Sequence, residues 1–416
     1  MTRRIEYIAS GTSYLRLNAV RNTEGENREF LEGCFAKIKD QTNHKFGVLF
    51  NAFTESLFGE RIALYKNLDS VHADSGGLQV ITQGKIITPE LKENIYRTQA
   101  RWSDMAMSFD EIPIGMFDGK SGRNDVNNRW FAVDEFEHYA RETGRNVRRQ
   151  IEVFIEEKSK GKPIFITQGN CYDTYMQWTE FALQEIPKDM HQYIGGVAMG
   201  AAALGTGTLE DIERAFFYKQ LPIEASHLHV LGIGSSKRIL PYIAMLQSGY
   251  YGTDTVSYDS TTHTSGGELG TFFNNKASAY KISRVLTKEY QKIYDDISES
   301  FDLTRFDLKQ FHKIMNTGYT KYVEDQGGDS FDHLTVRTAY IIKSIINFCR
   351  HVDQMYDSKK YILEMANKYD MFMPIKHLQE VKDKVDFDKW RKTFSPHLKT
   401  ARVSTGKPAS LDSFFD

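Results

Sequence analysis

The first two thirds of the chain alternate between short apolar runs and stretches with helical spacing. Stretches such as PELKENIYRTQARW repeat apolar residues every three or four positions, which predicts helices. The short runs are rich in β-branched and aromatic residues, which predicts strands. They are FGVLFNAF from Phe46, SVHAD to Asp74, MAMSFD to Asp110, PIFITQG to Gly169, YIGGVAMG from Tyr193, HLHVLGIG to Gly234 and TDTVSYD from Thr253.

This alternation predicts a (β/α)8 barrel, an α/β fold, over residues 1–273. Seven strands are visible and an eighth is expected near IEYIA. The competing fold is an open doubly wound sheet, but no GxGxxG turn follows the first strand to support a dinucleotide site. In a barrel, the residues that close the strands meet at one mouth, so polar residues there are candidates for a site.

The pattern changes after residue 273. Stretches such as HLTVRTAYIIKSIINFCRHVDQMY keep helical spacing with few strand signals, so residues 274–395 are expected to form a helical C-terminal region packed on the barrel. Residues 396–416 are polar and small, which predicts a flexible tail, and they end in LDSFFD.

Composition narrows the classes of protein. The 416 residues carry a formal net charge of -2, so a nucleic-acid partner would have to be held by local basic patches. No apolar run reaches the roughly 20 residues of a membrane span, and the start has no secretory h-region. Three distant cysteines do not form a disulfide framework. We expect a soluble, cytoplasmic protein with no membrane partner.

The predicted strand ends carry carboxylates, an amide and glycines. Two glycines and two polar side chains, Ser75 and Gln79, accompany Asp74 in HADSGGLQ. Such a set can do acid/base and covalent work at a glycosidic carbon while hydrogen-bonding a flat base. The alternative is that the acids only cap helices at barrel loops. The candidates are Asp74, Asp110, Gln168, the backbone of Gly195 and Gly196, and Asp254, with Asp259 nearby.

Six of these stretches, in order, resemble signatures of the tRNA-guanine transglycosylase superfamily. ADSGGLQ resembles TDSGGFQ, MSFDEIP resembles MAFDECTP, and FITQG resembles IQQG. YIGGVAMG is similar to VGGLAVG, HVLGIG to YLMGVG, and GYYGTDTVSY to the archaeal GVDLFDSASY. The matches cover roughly residues 46–258, and the family fold is the same barrel.

The resemblance implies a role for each matched residue. Asp254 would be the nucleophile at C1′, and Asp74 the general acid/base. Asp259 is the alternative nucleophile under a different gap placement. Asp110 would accept hydrogen bonds from the base. The remaining substrate-binding residues would be Gln168 and the amide of Gly196 on the carbonyl side, Gly195 and Val197 beside them, and Ser75 and Gln79 in support. The reaction would need no metal and no other cofactor.

Several departures from the tRNA enzymes indicate a different substrate. The chain lacks their CxCxxC zinc motif, since its cysteines are Cys34, Cys171 and Cys349. The positions around the base are Leu78, Leu231 and Ile112. We therefore expect the branch of the superfamily, called DpdA-type, that replaces guanine in bacterial or phage DNA by a 7-deazaguanine. The partners would be DNA and a free 7-deazapurine base.

A flipped or single-stranded guanine would be required, and backbone contacts could come from Arg145, Arg148 and Arg149 or from residues 382–399. The alternative, which is the more common case, is that each of these basic clusters is simply a solvated helix face. The tail ASLDSFFD resembles the clamp-binding tails of replication proteins, with Leu411, Phe414 and Phe415 as hydrophobic plugs for a sliding clamp. The alternative is that this tip folds back onto the protein.

Two other functions remain open. The same chemistry could act on tRNA, or the chain could be a non-catalytic nucleic-acid-binding subunit. The presence of Asp74, Asp110 and Asp254 together argues against the second of these.

Overall fold

A computed structural model describes residues 3–11, 13–21, 26–77, 86–111, 133–169, 172–200, 208–264, 271–276, 278–281, 287–325 and 327–398. Eight parallel strands follow one another in chain order and form a closed barrel. The predicted (β/α)8 fold is confirmed. The strands are β1 (Ile5–Ala9), β2 (Lys45–Asn51), β3 (Ser70–Asp74), β4 (Met105–Met107), β5 (Lys162–Gln168), β6 (Gly196–Gly200), β7 (His227–Val230) and β8 (Thr255–Ser260).

Helices separate the strands. They are α1 (Ser13–Arg21) and α2 (Glu26–Gln41), α3 (Ser56–Ile62), α4 (Pro89–Trp102), α5 (Val133–Glu156), α6 (Tyr172–Gln184), α7 (Thr208–Phe217) and α8 (Ser236–Gln247). Short 3-10 turns follow α6 at Lys188–Tyr193 and α7 at Tyr218–Gln220. The start of α4 shows why a helix begins where it does: Thr88 caps it by accepting a hydrogen bond from the amide of Leu91, and Pro89 occupies its first position.

The chain after the barrel is helical, as predicted. A two-stranded antiparallel pair, β9 (Thr271–Phe273) and β10 (Ala279–Lys281), comes first. The helices are α9 (Thr287–Ser298), α10 (Leu308–Met315), α11 (Ser330–Asp357), α12 (Lys359–Lys368), α13 (Phe372–Leu378) and α14 (Lys384–Phe394), with a π turn at Lys321–Asp325 and a 3-10 turn at Ser395–His397. No helix in the described ranges is long and apolar enough to cross a membrane.

The chain divides into two compact units. Unit 1 comprises Met1–Phe50, Glu55–Val71 and Asp259–Gln354, and unit 2 comprises Asn51–Thr54, His72–Tyr258 and Met355–Asp416. These units are interleaved along the sequence. The boundaries expected at residues 273 and 395 therefore stay a prediction.

In unit 1, β1 and β2 pair in parallel, with Tyr7 opposite Phe46. The 28-residue helix α11 is buried along most of its length and supplies much of the core of this unit. Its polar side chains serve as connectors: Asn347 Nδ2 donates to the carbonyl of Phe273 at 3.0 Å, and Ser344 Oγ accepts from the amide of Phe273 at 2.9 Å. These bonds attach β9 to α11.

In unit 2, helices pack against the strands that they connect. Val147 and Ile151 of α5 pack with Phe165 of β5 and Ala182 of α6 in one buried cluster. The last helix, α14, docks on α7 by a stacked pair, since the rings of Phe216 and Phe387 lie 4.0 Å apart and 1° from parallel.

Candidate functional site

Three consecutive strands of unit 2 end in polar side chains. Asp74 is the last residue of β3, Asp110 follows the end of β4, and Gln168 is the last residue of β5. Gln168 Nε2 donates to Asp110 Oδ2 at 2.5 Å. Asp110 is only 4% exposed. The carboxyl ends of parallel barrel strands are where such folds carry their reacting groups, so this pair is the centre of the candidate site.

The carboxyl of Asp110 is poised to titrate near neutrality. Burial raises its pKa to about 7, because removal from water disfavours the charged form. The hydrogen bond from Gln168 lowers the pKa and the negative charge of Asp74 raises it, and the value of about 7 is the balance of burial with these two effects. Asp110 can therefore hold or release a proton at physiological pH, which suits a group that must hydrogen-bond a ligand.

The turn after Asp74 has a backbone shape that requires glycine. Gly76 has φ of +73°, and a β-carbon there would lie 2.7 Å from Asn51 Oδ1. The carbonyl of Asp74 accepts from the amide of Ala52 at 2.9 Å, and the amide of Gly77 donates to the buried Ser75 Oγ at 3.3 Å. The DSGG stretch is thus a fixed turn that presents Asp74 at the strand end.

Gly200, the last residue of β6, lies beside Gln168. Gln168 and Gly200 are partners in the β5–β6 register, and a β-carbon at Gly200 would collide with the Gln168 amide. Tyr175 OH donates to the carbonyl of Gly200 at 2.7 Å. Tyr175 and Gly200 therefore hold the Gln168 amide against Asp110, a contribution that the sequence reading missed.

The residue after Asp110 is also fixed. Glu111 accepts hydrogen bonds from Lys92 Nζ at 2.9 Å and from Asn146 Nδ2 at 3.1 Å. Its amide donates to Thr143 Oγ1 at 3.0 Å. Helices α4 and α5 thereby clamp the segment that carries Asp110. A lysine at one helical position and an asparagine far along the chain give no sequence signal for this contact.

The glycines predicted to line the site lie at the opposite end of their strand. Gly195 precedes β6 and Gly196 and Val197 begin it, so all three stand at its amino end. Gly195 lies in a surface cleft of about 750 Å³ with Lys162 and Lys219. Gly200, rather than these three residues, closes β6 at its carboxyl end, and the site role expected for Gly195, Gly196 and Val197 stays a prediction.

Asp254 also lies at the amino end of its strand. It immediately precedes β8 and accepts hydrogen bonds from Lys219 Nζ at 2.8 Å and from Tyr218 OH at 3.0 Å. An ion pair neutralises it at the amino end of the strand. In TDTVSYD, Asp254 precedes the strand and Asp259 lies near its end. The resemblance pointed to Asp254.

Asp259, the alternative nucleophile, is the fifth of the six residues of β8 and lies near its carboxyl end. It belongs to unit 1, where Ser10 Oγ donates to Asp259 Oδ2 at 3.1 Å. Ser10 directly follows β1, whose turn continues through Gly11 at φ +63°. Asp259 is thus the acid of β8 at the reactive end of its strand.

A layer of buried histidines in unit 2 was not predicted. His72 lies two residues before Asp74, and its ring centroid is 5.8 Å from those of His227 and His229. Ser257 Oγ lies 2.6 Å from His227 Nε2 and 2.8 Å from His229 Nδ1. A hydroxyl carries one proton, so at least one of these two nitrogens must donate to it. Buried neutral imidazoles can also bind a transition metal, and His72 and His227 bring ring nitrogens within 4.8 Å of each other.

The arginines of α5 form an ion-pair ladder with neighbouring glutamates. Arg149 bonds Glu93 at 2.8 Å, Glu156 at 2.9 Å and Glu152 at 3.0 Å. Arg148 also pairs with Glu152, and Arg145 pairs with Glu142 and Glu185. The cluster expected to hold a nucleic-acid backbone is balanced by acids on the surface of its own unit, which supports the alternative of a solvated helix face.

Some predicted residues lie outside the described part of the chain. They are Leu78, Gln79, Ile112, Cys171 and the tail residues Leu411, Phe414 and Phe415.

Comparison with models of known protein families and with curated proteins gives no match for this chain.

Proposed function

We propose that this protein is a transglycosylase that exchanges guanine in DNA for a 7-deazaguanine base. The observation that carries the proposal is the hydrogen-bonded pair Asp110 and Gln168 beside Asp74, at the ends of three consecutive barrel strands. The six motif matches in the same order support the same chemistry.

The donors and acceptors of this pair suit the edge of guanine. Guanine offers N1–H and an exocyclic amine as donors and O6 as an acceptor. An ionised Asp110 would accept from the two donors, while the Gln168 amide would donate to O6. In the structure, Gln168 donates to Asp110. A bound guanine would replace that bond, so neither side chain is left without a hydrogen bond on binding.

The exchange would proceed in two displacements at C1′. A carboxylate attacks C1′ as the glycosidic bond breaks, and the electron pair of the broken bond leaves with guanine N9. Asp74, acting as the acid, supplies the proton that neutralises the departing base. The incoming base then gives a proton to Asp74, attacks C1′ and releases the carboxylate. The net change is one base for another, with no redox step.

Asp259 is the better candidate for the attacking carboxylate. It lies near the carboxyl end of β8, whereas Asp254 precedes that strand and is neutralised by Lys219. A nucleophile held in an ion pair is weakened, because its charge is already compensated. The proposal therefore moves the nucleophile from Asp254 to Asp259.

DNA is proposed as the substrate because the chain lacks the CxCxxC motif of the tRNA enzymes and its tail resembles those of replication proteins. The target guanine must leave its stack, because C1′ and the base edge are not accessible inside a duplex.

The test is incorporation of radiolabelled guanine into genomic DNA or into tRNA. We expect label in DNA with the wild-type protein, none with Asp259→Asn or Asp74→Asn, and label with Asp254→Asn. Label in tRNA alone would replace the substrate, and label in neither would support a non-catalytic subunit. Full exchange by Asp259→Asn would overturn the choice of nucleophile.

A further inference from the structure

Unit 1 contains a buried arginine that forms no ion pair with an acid of the described residues. Arg337 of α11 is 3% exposed. Its Nε and Nη2 atoms are buried and have no hydrogen-bond partner, and no carboxylate of the described ranges forms an ion pair with it. Its guanidinium lies 5.2 Å from the centroid of the Tyr14 ring. A guanidinium is always charged in proteins, so this is a buried positive charge in need of an anion.

The guanidinium lies over a side chain of the first turn of a helix. Tyr14 is the second residue of the nine-residue helix α1. Side chains of a helix lean toward its amino end, so the space over the Tyr14 ring lies beside the first turn. The amides of that turn have no carbonyl partner within the helix, and the helix dipole adds partial positive charge there.

His333, a described neighbour of Arg337, does not supply negative charge. The ring of His333 lies 5.7 Å from that of Tyr14. Burial lowers the pKa of His333 to about 4, and the nearby charge of Arg337 lowers it further. His333 is therefore neutral at physiological pH and cannot compensate the arginine.

We propose that Arg337 and the amino end of α1 bind a phosphate group. The forked donors of a guanidinium match two phosphate oxygens, and helix amides complete such sites. The source is assigned as a phosphodiester of the bound nucleic-acid strand, which rests on the proposed function. The alternative source of the same chemistry is a small phosphorylated compound.

The first experiment measures thermal unfolding of the full chain in inorganic phosphate and in chloride at equal ionic strength. Wild-type protein should gain about 2 °C or more in phosphate relative to Arg337→Met, because a ligand that binds only the folded state stabilises it. The Met variant controls for the general stabilising effect of phosphate salts. Arg305→Met is the matched control, since Arg305 is half-exposed and paired with Asp332, and it should respond like the wild type.

Equal phosphate responses in the wild type and Arg337→Met would overturn the site. Arg337→Met is expected to fold, because replacing an uncompensated buried charge by an apolar side chain is often neutral or stabilising. If Arg337→Met does not fold, Arg337→Lys is measured as a second variant. Lysine keeps the charge but loses the fork, so it should retain only part of the response.

The second experiment measures binding of a fluorescent oligothymidylate, which contains no guanine, over a series of salt concentrations. Arg337→Met should weaken binding at least about fivefold and reduce the slope of log K against log salt by roughly 0.7, the value for one phosphate contact on a single strand. A phosphate response without this change would assign the site to a small phosphorylated compound. If Arg337→Met alters neither the oligothymidylate binding nor the phosphate response, the proposal is wrong. Guanine exchange is not needed in either arm, so failure of the proposed function is seen separately.

Discussion

Asp110 illustrates how one residue acquires its chemistry from its surroundings. An aspartate in water has a pKa near 4, but burial and the charge of Asp74 raise the pKa of Asp110 to about 7. Gln168 offsets part of this shift by its hydrogen bond. The result is a carboxyl whose charge depends on pH in the range where a cell operates.

This pKa predicts a pH dependence of base binding. Only the ionised carboxylate accepts hydrogen bonds from guanine N1–H and the amine, so guanine affinity should rise between pH 6 and pH 8. With a pKa of about 7 the ionised fraction rises from roughly a tenth to roughly nine tenths, so the affinity should gain up to about ninefold. Calorimetric titration at the two pH values checks this. An affinity that falls with pH would contradict the assigned role.

The same shift predicts a pH dependence of stability. Because the pKa is raised in the folded state, the contribution of Asp110 is fully present below about pH 4 and is lost as pH rises toward about 7. The loss is at most about 1.4 kcal/mol per pH unit. Asp110→Asn removes it, so the variant should gain stability relative to the wild type as pH increases. Urea unfolding at several pH values measures the difference, and parallel curves would refute the prediction.

Among the elements, α14 contacts α7 through a stacked pair of rings and an ion pair. The Phe387 ring stacks on Phe216, and Arg391 Nε lies 2.7 Å from the buried Glu213 Oε1. Burial raises the pKa of Glu213 to about 7, and Arg391 counteracts this rise. The attachment is thus a stacked pair flanked by an ion pair.

Phe387→Ala should therefore destabilise the protein by about 3 kcal/mol, because it leaves a cavity where a buried ring was. Denaturant unfolding, together with limited proteolysis of the C-terminal helices, measures this. Val385→Ala is the control in the same helix: Val385 is 60% exposed, so its change should stay within about 0.5 kcal/mol. Equal stability of the two variants would show that α14 does not depend on this contact.

The ladder on α5 makes a prediction about partners. Arg145, Arg148 and Arg149 already have glutamate partners, so they release few counterions on binding DNA. Replacing all three by Gln should leave the salt slope of DNA binding unchanged within about one unit. Fluorescence anisotropy over a salt series measures it. A slope reduced by two or more would restore this face as a backbone contact.

At the scale of the whole molecule, the tail remains a prediction from sequence. Deleting Leu411–Asp416 should weaken binding to a sliding clamp and leave guanine exchange on short oligonucleotides intact, since tethering raises local concentration without altering the site. A pull-down with clamp and an exchange assay test the two parts. Intact protein that does not bind the clamp would support a tip that folds back.

The sequence predicted the barrel because its evidence is local. The short β-branched and aromatic runs of the strands and the period of about 3.6 in the helices are local features, and their repeated alternation allows few other folds. Strand ends marked by one clear acid, Asp74 and Asp110, were predicted for the same reason. Gln168 followed from the abrupt end of the run PIFITQG.

Only the tertiary structure decided which end of a strand a residue occupies. A run with acids near both ends, such as TDTVSYD, or glycines near both ends, such as YIGGVAMG, gives no indication of where hydrogen bonding to its neighbours begins, and the register depends on distant strands. Lys219, which pairs with Asp254, and Glu93 and Glu185, which pair with α5 arginines, come from other segments. The Tyr14 ring beside Arg337 and the main side chains that shift the pKa of Asp110 are also distant in sequence. Contacts and burial arise when the chain closes on itself, so they are determined by the assembled fold.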